Sequence, residues 1–343
     1  MTTREDCVTL DAGDPLAYLR EEFLVPAGTL RFDSDRLGPL TRGVRARLDG
    51  FLRVDWGTDF TNDGRHLAEA AAEKLAPLLG AQAGSLGFAA TADDAIEALA
   101  DAACASGRKR VLALPGEFAA LPARLGTKGL TVTETEAPEA QLDRDALLLL
   151  RHLDPATGAL RDMAALAAQA REAGALAAFD VSETAGALPA ALEPSGVEAA
   201  VGRGCGFLGG GPGAPAWIHA TGELGAALEA VPAPSALALA ALDGALDMFA
   251  GIDIAAAGWK ARTLTALFLG ALGEDDPLPP ARRGAHVVLE RPDAEALAAA
   301  LAADGVLAHT LPPDRISFAL SPLLLRHVDA WDAAEAVRAR QEG

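Results

Sequence analysis

Hydrophobic residues recur at helical spacing in six parts of the chain. Apolar positions three and four residues apart predict helices over residues 65–80, 92–106, 162–173, 235–250, 293–304 and 329–340. Short runs of apolar or β-branched residues between them predict strands over 110–114, 130–134, 146–151, 175–180, 198–202 and 215–220. Strands that alternate with helices are typical of a mainly parallel sheet with helices on both faces. The pattern therefore predicts an α/β fold.

The last part of the chain has a different pattern. AHVVLE at 285–290 and ISFAL at 316–320 predict strands, and a predicted helix follows each of them. We expect a small α+β domain there. GGGPGAP at 209–215 lies close between two apolar strands, so we expect a rigid turn rather than a linker.

Charge and composition narrow the classes of function. The 343 residues include 29 Lys and Arg against 48 Asp and Glu, a formal net charge of −19. Such a surface repels phosphate, which argues against partners made of nucleic acid or anionic lipid. Cys7, Cys104 and Cys205 have no CxxC spacing, and no His, Cys or Glu spacing suggests a metal site, so no metal is expected.

The chain shows no targeting or membrane-spanning pattern. The first residues lack a cationic stretch followed by an apolar run. The apolar stretch over 237–258 is interrupted by Asp243, Asp247 and Asp253, which argues against a membrane span. We expect a cytoplasmic protein without a membrane partner.

Three places follow strands and are candidates for chemistry, because functional groups gather at the carboxyl ends of parallel strands. Asp180 ends the strand ALAAFD, and the segment 203–206 follows the strand EAAVG. Thr91 and the residues after it open a helix behind LGFAA.

These places carry a family pattern. Residues 152–189 and 201–218 resemble two kynureninase segments: one in which an Asp holds the pyridine nitrogen of pyridoxal phosphate (PLP), and one with Tyr-Lys before a Gly-Gly-Pro-Gly turn. Further matches lie over 10–23, 32–40, 55–60, 281–297 and 328–337, so the resemblance covers essentially the whole chain in collinear order. The chain is thus identified as kynureninase-like, within the fold-type I PLP-dependent transferases similar to class V aminotransferases.

The resemblance implies an architecture and an assembly. It implies a mainly parallel central sheet with flanking helices plus a small α+β domain. Residues 1–44 are expected to join the small domain, 45–235 to form the large domain, and 236–343 to supply a linking helix and the rest of the small domain. It also implies a homodimer.

The departures from the family change the expected chemistry. Gly206 stands where kynureninases carry the Schiff-base lysine, and Cys205 stands in place of the tyrosine before it. Glu183 replaces a histidine, and Ser317 stands where the family has an arginine that clamps the substrate carboxylate. The stretch 220–232 is also short for a loop that reaches the neighbouring subunit.

The phosphate cradle of the resemblance is altered as well. The family places hydroxyls at this helix N-terminus, whereas here Thr91 is followed by Asp93 and Asp94, whose carboxylates would repel a phosphate. The lysine that forms the imine, the helix end that binds the phosphate and the arginine that clamps the carboxylate are all replaced or altered. We therefore expect no PLP cofactor.

Three residues are candidates for catalysis, each with a plainer alternative. Asp180 is either a base in the former cofactor cleft or a cap for backbone N–H groups. Glu183 is either its acid–base partner, since paired carboxylates push their pKa values apart, or a solvated loop residue. His152 is either a proton carrier or a hydrogen-bonded core residue.

A second set of residues is expected to contact a substrate. Thr91 and Asp93 would lie at its end, although the pattern around them is also that of a helix cap. Phe118 would stack on a planar group or belong to the core. Cys205 would line the site, though a buried, inert thiol is the stronger interpretation. Trp56 belongs to the site, the core or a subunit interface.

Two functions from different classes follow. One is a cofactor-independent biosynthetic enzyme of specialised metabolism, with lyase, cyclase or hydrolase-type proton transfer on an aromatic or amino-acid-like small molecule. The other is a non-catalytic scaffold or regulatory partner, with non-covalent PLP binding as a weaker third. A polar cleft with converging carboxylates favours the enzyme, and a cleft filled with apolar side chains favours the scaffold.

Overall fold

A computed structural model describes residues 3–58, 65–229 and 231–341. The helices of these residues are α1 Arg4–Ala12, α2 Arg42–Gly50, α3 Trp56–Thr58, α4 Arg65–Leu79, α5 Ala92–Ala105, α6 Leu121–Leu125, α7 Met163–Glu172, α8 Gly222–Ala227, α9 Ala236–Leu246, α10 Ile254–Leu272, α11 Ala294–Ala303 and α12 His327–Gln341. The strands are β1 Leu30–Arg31, β2 Leu86–Ala89, β3 Arg110–Ala113, β4 Thr131–Glu134, β5 Ala146–Arg151, β6 Leu176–Asp180, β7 Ala199–Arg203, β8 Ala216–Ala220, β9 His286–Glu290, β10 Val306–Leu307, β11 His309–Leu311 and β12 Arg315–Ala319. The motif at 55–60 extends at its last two positions beyond the described residues.

A seven-stranded sheet forms the centre of the large part of the molecule. Its strand order is β2-β8-β7-β6-β5-β3-β4. Strands β7, β6, β5, β3 and β4 run parallel, and β8 is antiparallel to both of its neighbours. The prediction of a mainly parallel α/β sheet is confirmed.

Strand β5 shows why both faces of this sheet are buried. Leu147 and Leu149 pack into the hydrophobic cluster that contains α5 and α6. Leu148 and Leu150 belong to the opposite cluster, with α4 and α9. Side chains alternate between the two faces of a strand, so a strand covered on both faces needs the unbroken apolar run that the sequence shows.

A second, smaller core lies around an antiparallel sheet of order β11-β12-β9. Helices α10, α11 and α12 contribute to its cluster. The rings of Phe32, Phe268 and Phe318 lie 4.8–6.1 Å apart within it. Phe32 comes from the N-terminal segment, where β1 pairs in parallel with β10. The boundaries of the two domains stay a prediction.

The predicted helices and strands agree with the observed ones to within a few residues at most boundaries. Helix α10, which runs from Ile254 to Leu272, is not predicted by the hydrophobic pattern. Alanine and glycine fill its first turns, so few large side chains are present to show a helical period. Its buried face is formed further along, by residues such as Leu264 and Phe268.

Candidate functional site

A cavity of about 270 Å³ opens at the carboxyl ends of the parallel strands. The last residues of β5, β6 and β7, which are Arg151, Asp180 and Arg203, all line it. The loop after β6 adds Glu183, and the first turn of α5 adds Asp93. Because parallel strands end at the same edge of a sheet, charged residues far apart in sequence meet here.

Asp180 both caps the backbone and faces the cavity. Its Oδ1 accepts a hydrogen bond from the Ser182 N–H at 2.9 Å. The Ser182 hydroxyl in turn accepts the N–H of Arg203 at 3.1 Å. This network fixes the loop after β6 against the end of β7, and the Asp180 carboxylate remains part of the cavity lining.

Glu183 is a shielded carboxyl group in the same lining, with 19% of its side chain exposed. Burial is the largest cause that raises its pKa above the usual glutamate range, and the nearby Asp180 acts in the same direction. The positive charge of Arg151 opposes the shift. Glu183 therefore keeps its proton to a higher pH than an exposed glutamate does.

Arg151 and Glu117 were missed as site residues. The Arg151 guanidinium lies over the Phe118 ring, with Cζ 5.7 Å from the ring centroid. Its Nη2 donates to the Glu117 carbonyl oxygen at 2.9 Å. The Glu117 carboxylate pairs with Arg161 at 2.7 Å, and burial raises its pKa. The sequence did offer one indication of Arg151 as a site residue, because it is a charged residue at the end of the predicted strand ALLLLR.

Arg203 belongs to the segment 203–206, which was noted from the sequence, but the residue was not assigned a role; it is the last residue of β7. Its side chain is 36% exposed, and its Nη2 lies 3.6 Å from Glu183 Oε1. Phe118, which was expected to stack on a substrate, is 9% exposed and packs in the core cluster as well as lining the cavity. Because the Arg151 guanidinium lies over its ring, Phe118 holds that side chain in place.

The rim of the cavity is an ion-pair network around Arg124. Arg124 contacts Asp94 and Glu97 at 2.7 Å and Asp93 at 3.4 Å. Thr91 is the N-cap of α5: its Oγ1 accepts the Asp94 N–H at 3.1 Å. The hydroxyl also donates to the Asp94 carboxylate at 2.7 Å, and this bond is the largest cause that lowers the Asp94 pKa.

Four expected site residues do not line this cavity: Thr91, which is the N-cap of α5, and three others. His152 is 6% exposed, its Nδ1 lies 2.9 Å from Thr184 Oγ1, and burial lowers its pKa to about 4. Cys205 is half-buried, and its carbonyl oxygen accepts the Gly38 N–H at 2.8 Å. Trp56 is 64% exposed, on the short helix α3.

The described residues, 3–58, 65–229 and 231–341, contain neither a membrane-spanning helix nor a metal-binding cluster. No helix there has the length and apolar character to cross a membrane. No group of three or more His, Cys, Asp or Glu side chains in these ranges is arranged to hold a metal ion.

Comparison with known proteins relates this chain to kynureninases over nearly its whole length. Residues 264–337 match the family described as Kynureninase C-terminal domain. The kynureninase of Deinococcus radiodurans is 33% identical over 386 aligned residues, which cover 96% of this chain and 94% of that protein. The kynureninase of Pseudomonas fluorescens is 29% identical over 398, covering 98% and 94%. Both alignments are longer than the 343 residues of the chain, so parts of the relatives have no counterpart here.

Solved structures support the same fold. A cysteine desulfurase from Escherichia coli superposes with a TM-score of 0.79 at 17% identity, covering 96% of this chain and 98% of that one. The sheet order and this superposition show the fold of the fold-type I PLP-dependent transferases. The chain belongs to the kynureninase family.

The residues present do not fit the amine linkage of PLP. An imine needs a primary amine, and the cavity lining contains no lysine among its described residues. A Cβ on Gly206 would lie 2.5 Å from the carbonyl oxygen of Asp35, so the backbone leaves no room for a side chain there. The chain's four lysines form ion pairs instead: Lys74 with Asp243 and Asp247, Lys109 with Asp145, Lys128 with Glu97 and Asp101, and Lys260 with Asp14.

The phosphate end does not fit either. The first turn of α5 presents Asp93 and Asp94, and the Thr91 hydroxyl is used within its own cap. A phosphate at this helix end would meet two carboxylates rather than free donors. Ser317, where the family resemblance expects an arginine, is buried within β12 at 2% exposure.

Proposed function

We propose that this protein is a PLP-independent enzyme that transfers a proton on a small-molecule substrate bound in the cavity at the strand ends. The observation that carries the proposal is Glu183, a shielded carboxyl group with a raised pKa that lines an open cavity beside Asp180. A general acid or base works best when its pKa lies near the operating pH, and burial moves Glu183 in that direction.

The roles follow from the surroundings of the two carboxyl groups. Asp180 accepts the backbone N–H of Ser182 and lines the cavity beside Glu183. Its charge in turn favours the protonated form of Glu183. Glu183 would carry the proton, and Asp180 would orient the substrate or receive the proton from it. Elimination, cyclisation and hydrolysis of an aromatic or amino-acid-like molecule all need such a step.

His152 has no place in this scheme. It is buried, hydrogen-bonded to Thr184 and neutral at physiological pH. The structural alternative for this residue, a satisfied core histidine, is the better supported one.

The non-catalytic scaffold is the second candidate. It predicts a cleft filled with apolar side chains, whereas the lining here carries charged groups of both signs. Non-covalent PLP binding is opposed by the carboxylates of Asp93 and Asp94 at the helix end.

The test begins with a substrate search. Aromatic and amino-acid metabolites are screened by thermal shift, and the molecules that bind are assayed for turnover. Asp180→Asn and Glu183→Gln should then each lower kcat by about 10²–10⁴-fold, the usual contribution of a positioned proton-transfer group. Cys205→Ser is the control and should retain activity, because its side chain does not line the cavity. Full activity in both carboxylate variants would show that the active site lies elsewhere in the protein.

A further inference from the structure

Two guanidinium groups converge on one point inside the cavity. Arg151 Nη1 lies 3.8 Å and Arg203 Nη2 lies 3.6 Å from the same oxygen, Glu183 Oε1. Both distances exceed the roughly 2.7–3.2 Å of an N–H···O hydrogen bond. The carboxylate of Glu183 therefore balances charge at this point without taking up the donors.

One of the two groups is held in place by its neighbours. The Arg151 guanidinium rests over the Phe118 ring at 5.7 Å and donates from Nη2 to the Glu117 carbonyl oxygen. Its Nε is buried and has no hydrogen-bond partner among the described residues. A guanidinium already fixed in this way loses little conformational freedom when it binds a ligand.

The other charges of the lining are paired elsewhere. Glu117 pairs with Arg161 at 2.7 Å. Arg124 is engaged by acidic side chains of α5 at the rim. The two cations at the convergence point therefore face Asp180 and Glu183 as the remaining carboxylates of the described lining.

We infer that the cavity binds a small organic carboxylate, whose oxygens accept hydrogen bonds from Arg151 and Arg203 in the place now faced by Glu183. The inference rests on the proposed function in that it assigns a substrate class to the same cavity. Guanidinium forks match carboxylates in shape and charge, and such charge-assisted bonds are about twice as strong as neutral ones. The clamp lies on the strand ends of the large sheet, not on β12 of the small one.

Binding of such an anion is linked to protonation of Glu183. The charged or titratable groups around Glu183 come from the strand ends and from two further segments: Arg151, Asp180, Arg203, Asp35 and His286. A ligand carboxylate adds a negative charge to this set and draws the arginines away from Glu183. Both effects favour the protonated carboxyl group, so the complex takes up a proton and binding tightens as pH falls.

Calorimetric titration tests the inference without any turnover. The probes are benzoate, phenylacetate and 3-phenylpropanoate, each paired with its primary amide and titrated to millimolar concentration. At least one acid should bind while its neutral amide does not. Repeating the titration in buffers of different ionisation enthalpy should show proton uptake, and Glu183→Gln should bind the acid with this uptake removed.

Substitutions of the two arginines locate the site. Arg151→Gln and Arg203→Gln should each weaken the acid by roughly 10–100-fold, the loss expected for a charged hydrogen bond. Arg203→Lys should restore part of the affinity, because it keeps the charge and loses the fork. Arg338→Gln, an exposed arginine of α12, is the matched control and should bind as the wild type does. Thermal unfolding of each variant separates lost binding from lost folding.

The outcomes separate this inference from the proposed enzyme. Acids that bind no better than their amides, no binding by any acid, or unchanged affinity in both folded arginine variants would each overturn the carboxylate site. Acid binding that depends on the arginines, in a protein without turnover, would support the carboxylate site and contradict the proposed enzyme. Turnover of an uncharged substrate that needs Glu183 but neither arginine would support the enzyme and contradict the carboxylate site.

Discussion

The carbonyl oxygen of Asp35 lies 2.5 Å from the point that a Cβ on Gly206 would occupy. The contact belongs to a wider seam, because the Gly38 N–H donates to the Cys205 carbonyl oxygen at 2.8 Å. The Asp35 side chain is itself buried, 3.4 Å from His286 Nε2. The N-terminal segment is thus packed directly onto the loop in which the resemblance places the Schiff-base lysine of the family. The backbone around Gly206 thus leaves no space for the side chain that the resemblance expects there.

Replacing Gly206 by lysine is therefore not expected to create a PLP enzyme. Gly206→Lys should destabilise the fold by about 1–3 kcal/mol or more, as overpacking does, because the obstacle is backbone rather than a movable side chain. Incubation with PLP should give no imine absorbance, and borohydride reduction should leave no pyridoxyl group on residue 206. Urea unfolding, absorbance and mass spectrometry measure these outcomes.

Gly84→Lys is the matched control for that experiment, since a Cβ there meets nothing within 4 Å. It should unfold close to the wild-type midpoint. A stable Gly206→Lys protein that forms a specific imine would show that the seam opens easily and that the backbone does not exclude a side chain at residue 206.

The stability of the protein should depend on pH through Glu183. Burial raises its pKa in the folded state, so the folded protein holds a proton that the unfolded chain releases at about pH 4.3. This contribution is fully present below the unfolded pKa and is lost as pH rises through the folded pKa. Glu183→Gln removes the penalty of the buried charge, so the variant should gain stability relative to the wild type as pH rises. Urea unfolding across a pH series measures the difference.

Glu69→Gln, at an exposed position on α4, serves as the comparison, because it removes a carboxyl group that is not buried. A difference for Glu183→Gln that does not change with pH would mean that this carboxyl group is not shielded in solution.

Lys260 should be a structural residue rather than a reactive amine. It is buried and pairs with the equally buried Asp14 at 2.6 Å. Lys260→Met leaves that carboxylate unpaired and should cost about 3–5 kcal/mol. Lys109→Met removes an exposed partner of Asp145 and should cost about 0–1 kcal/mol. Equal effects in urea unfolding would contradict the assignment.

Trp56 is expected to contribute to a homodimer interface. It is 64% exposed, and Leu52 and Val54 nearby are each more than half exposed, which is a concentration of apolar surface typical of contact sites. Trp56→Ala should shift the assembly towards the monomer in light scattering at micromolar concentration. Trp259→Ala, a tryptophan of similar exposure on α10, is the comparison. A wild-type monomer at that concentration would end the dimer hypothesis.

The framework of the site can be read from the order of residues along the chain. The unbroken apolar run of β5 requires a strand buried on both faces, and strands alternating with helices require a mainly parallel sheet. From these two facts Asp180 is placed at a strand end, where side chains from different strands meet. The capping pattern from Thr91 to Asp94 involves residues close together in the chain, so it can also be recognised from the sequence alone.

Which of these groups meet in the cavity depends on long-range packing. Arg151 and Arg203 are 52 positions apart in the numbering and belong to strands separated in the sheet by β6, so their convergence on Glu183 depends on register and loop path. His152, one position beyond Arg151, is instead buried against Thr184. Successive residues at a strand end face opposite sides, so the chain can place one in the cavity and the next in the core. The contact of Asp35 with Gly206 likewise joins segments distant in sequence, and packing alone fixes it.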